Sequence, residues 1–132
     1  MIMGARFLKG SRDKVADFKK GRERQSDEDF LRDLGVLDSA EEREVALAVR
    51  RAVANVGLVD PLYIRADDRE REELSVLPLW DSMDWVALLM ELENELNLAI
   101  PDKAAEKIKV SNFSVRSCVR DTIVVVRQLR GS

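Results

Sequence analysis

The 132-residue chain has no histidine and one cysteine, Cys118. One chain with that inventory can build neither a disulfide framework nor a His/Cys metal site. Zinc chemistry, histidine-based triads and Cys-x-x-Cys redox chemistry are excluded with them. A lone cysteine suits a reducing, cytoplasmic setting. Cys118 falls on the apolar side of the last predicted helix, a place for a small buried hydrophobe rather than a nucleophile. The chain also lacks a glycine-rich phosphate loop and any plausible nucleophile–base pair, so catalysis is not expected. It lacks a run of about 18 apolar residues, so no membrane-spanning helix is expected. The opening MIMGARFLKG is too short and too broken for a signal peptide.

What is present is charge and aliphatic surface. Charged residues are 36% of the chain and hydrophobic residues 45%, which fits one soluble, helix-rich domain. The net charge of −3 hides an asymmetry: residues 1–25 hold 8 Lys/Arg against 3 Asp/Glu, and residues 26–132 hold 14 against 22. An acidic body repels nucleic acid and suits basic protein surfaces. Residues 1–25 are expected to be a flexible basic arm, interrupted by Gly4, Gly10 and Gly21, with at most a marginal helix over 11–20. Residues 26–132 are expected to form the folded domain.

Local signals predict its helices. Ser26 with Asp29 caps a short helix over 27–34, with Phe30, Leu31 and Leu34 inward and Gly35 ending it. Ser39-Ala40-Glu41-Glu42 is a capping box that starts a helix running to about Val56. Val45, Val49, Ala52, Val53 and Val56 form its inner face. Gly57 is its expected stop, and Arg50 and Arg51 suit its dipole. Residues 57–80 are a long connection, too apolar for disorder, expected to lie across the helices with a short helical turn near 67–74. Proline at 101 opens another short helix, with Ala104, Ala105 and Ile108 inward. The last helix is predicted from Phe113 to Leu129, because the helical period runs through the β-branched stretch Ile123–Val126.

The helix that follows Asp81-Ser82-Met83-Asp84 is the most informative. Trp85, Leu88, Leu89, Leu92 and Leu96 make a stripe wide enough to face a core. Met83, Val86 and Met90 make a second row that starts beside Ser82, ringed by Asp81, Asp84, Glu91, Glu93 and Glu95. If the helix is central, both rows are core. If it is not, the second row is a docking surface for a partner with a basic face, and methionines adapt it to several partners. Ser82 itself fits a helix cap or a covalently attached phosphodiester, since helix N-termini favour both. Spacing alone does not choose between them.

The segment from Asp81-Ser82-Met83 through the acidic helix to Ile100-Pro101-Asp102 resembles the acyl carrier protein family. The resemblance extends more faintly over about 40–128. It implies an all-α, four-helix acyl-carrier-like bundle with a long first loop, here with a short N-terminal helical extension. It implies that Ser82, flanked by Asp81 and Met83, carries 4'-phosphopantetheine transferred from coenzyme A by a phosphopantetheinyl transferase. The protein would then be a cytoplasmic, monomeric carrier of acyl groups. It would dock acyl-processing enzymes through Asp84, Val86, Met90, Glu91 and Glu93. Several positions depart from the family pattern: Leu79 stands where a glycine is usual, Trp80 where a small residue is common, and Met83 in place of leucine. Ala87 and Asn94 interrupt the acidic face. These departures point to specialised partners rather than standard fatty-acid synthesis. A different class of function, an unmodified helical adaptor using the same helix face, turns on whether Ser82 is modified.

Overall fold

A computed structural model describes residues 2–35, 37–78, 80 and 85–131, with side chains from Gly10 onward except Ser11. Within these residues the chain is all-α, with six helices and no strand: α1 (Ile2–Lys19), α2 (Asp27–Leu34), α3 (Ala40–Gly57), α4 (Trp85–Leu96), α5 (Asp102–Ala105) and α6 (Val115–Arg130). The last four fall where the four-helix arrangement was expected. α3 is the central element and packs against both α4 and α6.

The helix starts follow the local chemistry. Ser26 accepts from the Asp29 N–H at 3.1 Å, and Ser39 from the Glu42 N–H at 3.1 Å. Each side-chain oxygen satisfies one of the N–H groups that a helix start leaves without an intrahelical partner. α6 opens with a reciprocal capping box between Ser114 and Ser117. α4 ends at Asn97, a left-handed residue (φ 49°), with the Leu98 N–H turned back to the Glu93 carbonyl at 3.2 Å. The run Ile123–Val126 is helical, with Ile123, Val125 and Val126 buried and Val124 exposed. One-sided burial against α3 overrides the strand preference of β-branched residues.

Three features differ from the sequence reading. The first is the basic segment, which is helical over Ile2–Lys19 and lies against the 3₁₀ turn at Leu74–Val76. Phe18 is buried, and the Gln25 N–H donates to the Leu62 carbonyl at 2.8 Å. The later half of the expected flexible arm is therefore packed onto the body. Basic charge and the interrupting glycines gave the expectation of an arm; Phe18 and directed guanidinium contacts instead tie its later part to the connection.

The second is Arg50, expected only to suit the α3 dipole. It is fully buried. Its guanidinium donates to the carbonyls of Ile64 (3.2 Å), Gln25 (2.9 Å) and Leu62 (3.2 Å) and to Asp27 Oδ1 (2.8 Å). It also lies 4.5 Å from the Phe30 ring centroid. Burial lowers its pKa, and the Asp27 hydrogen bond opposes the shift. The planar five-donor fork matches several acceptors at once, as a lysine could not.

The third is Gly57. α3 includes it, and the left-handed residue is Leu58 (φ 59°, ψ 38°). Glycine is needed for space rather than for φ, because a Cβ there would stand 2.6 Å from Leu77 Cδ1 and 3.3 Å from Trp80 Cδ1. The 57–80 connection thus presses directly on the α3 backbone. It buries Val59, Ile64, Ala66, Leu74, Leu77 and Trp80, and its helical character is two 3₁₀ turns, Pro61–Tyr63 and Leu74–Val76, rather than one turn near 67–74.

Candidate functional site

Asp81, Ser82, Met83 and Asp84 lie outside the described residues. The residues that bracket them in sequence are well fixed. Trp80 is 1% exposed and donates its indole N–H to the Val53 carbonyl at 3.3 Å. Its ring stands 6.4 Å from Trp85, edge to face, and 5.6 Å from Phe113. Trp85 and Phe113 are 5.1 Å apart. The last residue before this tetrapeptide and the first after it therefore meet in one aromatic cluster, anchored on α3 and on the approach to α6. Edge-to-face and tilted aromatic pairs add to the stability that burial alone provides. Trp80 fills core, as its size favours.

α4 separates its two rows. Leu88, Leu92 and Leu96 are buried, whereas Val86 is 56% and Met90 58% exposed. The helical period that turns the leucines toward α3 turns Val86 and Met90 to solvent. Trp85 and Leu89, expected in the core stripe, sit at its margin and are half-buried. With Leu88, Ala105, Ile108 and Val110 they line a mostly apolar cavity of about 420 Å³, rimmed by Asp102, Glu106 and Lys109. The sequence reading missed this cavity. Its trace in the sequence was a stripe too wide for a single helix contact.

The acidic side chains of α4 are tied to the fold. Glu91 accepts from Asn55 Nδ2 at 3.1 Å, and Glu95 pairs with Arg51 at 3.0 Å. Glu93, expected as a docking acid, accepts from the Ile100 N–H at 2.7 Å and fixes the turn that leads to Pro101. The helix contains no lysine or arginine, so its outer surface is still net negative. Cys118 is fully buried, and burial pushes its thiol up to about 12. Among the described residues no group of three or more side chains is placed to hold a metal ion. None of the described helices is long and apolar enough to cross a membrane.

Comparison with known proteins finds relatives in sequence. An acyl carrier protein of Thermosynechococcus vestitus is 38% identical over 66 residues, covering 50% of this chain and 76% of the relative. One from Chlorobium phaeobacteroides is 64% identical over 40 residues, 30% of this chain and 51% of the relative. One from Chlorobium phaeovibrioides is 64% identical over 28 residues, 21% of this chain and 36% of the relative. No family model and no solved structure matches the chain. An all-helical chain matched at this identity over three quarters of a relative belongs to the acyl carrier protein family.

Proposed function

We propose that this protein is a non-catalytic carrier that holds acyl intermediates on a 4'-phosphopantetheine arm joined to Ser82. The observation that carries the reading is the match to proteins named acyl carrier protein over three quarters of one relative. The side chains present suit the group. A serine hydroxyl three residues before Trp85 can accept a phosphoryl group from coenzyme A, and negative charge is favoured near a helix start. An apolar cavity beside the first turns of α4 can receive an alkyl chain. The group, when bound, supplies the thiol that carries an acyl chain as a thioester.

This chain's own residues position and present that load. Trp80 and Trp85 hold the two ends of the serine segment. Val86 and Met90 offer an adaptable apolar contact, and Asp84 and Glu91 give the same face a negative potential that steers basic partners. Glu93 acts from behind that face by fixing the end of α4. Partners would be a phosphopantetheinyl transferase and acyl-processing enzymes. Tethering raises the local concentration of the load at each docked enzyme. The carrier core spans about 40–128, in a monomeric, cytoplasmic protein.

Incubation with coenzyme A and a broad-specificity phosphopantetheinyl transferase tests the proposal. Intact mass should rise by one phosphopantetheine, and Ser82→Ala should abolish the gain while keeping helix content. An unchanged wild-type mass points instead to an unmodified adaptor using the same face.

A further inference from the structure

We infer that Trp85 sets how long an acyl chain this carrier shelters: its indole is the stop against which a plain hydrocarbon chain ends in the apolar cavity beside α4. The inference rests on the carrier reading and gives its load a chemical class, an alkyl chain without polar groups and of limited length.

The cavity of about 420 Å³ takes its walls from two elements. Trp85, Leu88 and Leu89 supply one wall from α4, and Ala105, Ile108 and Val110 supply the other. The charged lining residues, Asp102, Glu106 and Lys109, are all exposed and belong to the mouth. A hydroxyl or carboxylate carried inward on a chain would lose its water and meet apolar walls, which costs free energy. A hydrocarbon chain has no such cost and removes apolar wall from water. The load that fits is therefore an unsubstituted alkyl chain.

Trp85 belongs to that lining, whereas Trp80 and Phe113 do not. Both of those rings nevertheless pack against it. The Trp80 centroid is 6.4 Å away at an interplanar angle of 83°, and the Phe113 centroid 5.1 Å away at 58°. The indole thus stands between the cavity and the ring cluster. Two ring contacts, each with its own preferred geometry, hold it in one orientation. Trp80 is in turn fixed by burial and by its hydrogen bond to the Val53 carbonyl. A wall backed in this way acts as a stop rather than a flap. Core filling uses only part of the ring. Trp85 is half-buried, while Trp80 and Phe113 are each 1% exposed.

The test uses the full chain, loaded with straight acyl groups from butyryl to palmitoyl. Each is transferred from its acyl-coenzyme A by a broad-specificity phosphopantetheinyl transferase. In the wild type the melting temperature should climb by roughly 3 °C for every two carbons and then stop climbing. In Trp85→Leu the climb should continue for about two to four carbons more, because about six heavy atoms of wall are gone and the site relaxes only in part. A chain of the limiting length that ends in a carboxylate should give less than half the gain of its plain counterpart. The indole supplies a second readout. Emission should shift on loading in the wild type and stay unchanged in Trp85→Phe, whose one remaining tryptophan is the buried Trp80.

The same limiting length in the wild type and Trp85→Leu overturns the inference and leaves the carrier reading intact. If Trp85→Leu does not fold, emission decides: an equal shift in the wild type and Trp85→Phe, or none in either, overturns it. An equal gain from the carboxylate-ended chain overturns the class of load. A wild-type chain that accepts no acyl group at all overturns the carrier reading itself, and the inference with it.

Discussion

Arg22 grips Asp68 across 46 residues of sequence with two hydrogen bonds, 2.9 and 2.8 Å long. The Asp68 side chain is 4% exposed and also accepts from the Arg65 N–H at 2.8 Å. The guanidinium donates in addition to the Tyr63 carbonyl at 3.0 Å and lies 4.0 Å from the Phe18 ring centroid. One side chain thus joins the end of the basic segment to the connection that leads to Ser82. Arg65 reaches back to the Glu23 carbonyl, closing the junction from the other side.

Arg22→Ala should therefore destabilise the fold by about 2–4 kcal/mol, because it leaves a buried carboxylate without its cation. Deletion of residues 1–25 should do at least as much, since it removes Phe18 as well. Urea denaturation of the three proteins measures both. A deletion variant as stable as the full chain would show that the junction contributes nothing.

Gly57→Ala should destabilise by about 1–3 kcal/mol, although alanine is the better helix former by about 1 kcal/mol. The added methyl group has to displace Leu77 and Trp80, both buried. Because Trp80 belongs to the ring cluster with Trp85 and Phe113, its fluorescence should shift in the folded variant. Equal stability and an unchanged spectrum would show that the connection yields freely.

On α4 the two rows should behave differently. Leu88→Ala and Leu92→Ala should each cost about 2–5 kcal/mol, the range for emptying a packed core site. Val86→Ala and Met90→Ala should cost about 0.5 kcal/mol or less. In a transferase or acyl-transfer assay the order should reverse, with the exposed pair raising KM. Thermal unfolding and steady-state kinetics on the same four variants check both halves.

Cys118 should resist alkylation in the native protein at pH 8 and react at once in denaturant. Its thiol is fully buried and stays neutral until about 12, against an ordinary value of 9.0. The sign for stability follows from the raised value. The folded state holds the proton that the unfolded state releases, so the contribution is complete below 9.0 and is lost progressively toward about 12. Cys118→Ala should flatten that alkaline loss in denaturation curves measured across the interval.

Where most helices begin, and which side chains they turn inward, follows from neighbouring residues. Ser26 and Ser39 announce their helices because a hydroxyl beside free N–H groups acts within one turn, and so does not depend on the rest of the chain. The division of α4 into two apolar rows was legible for a similar reason: helical period is a property of consecutive residues. That Val86 and Met90 face water was decided by the packing of α4 on α3. What depends on the approach of distant residues is visible only in the folded chain. Arg50 reads as a cation matched to the helix dipole until Asp27 and the carbonyls of Gln25, Leu62 and Ile64 close around it. Gly57 reads as a helix stop until Leu77 arrives against its backbone. The basic segment reads as a loose arm because its charge and its glycines are visible in a sequence. The pairing of Arg22 with Asp68 is not, since a guanidinium finds a carboxylate that far along the chain only when the whole fold brings them together.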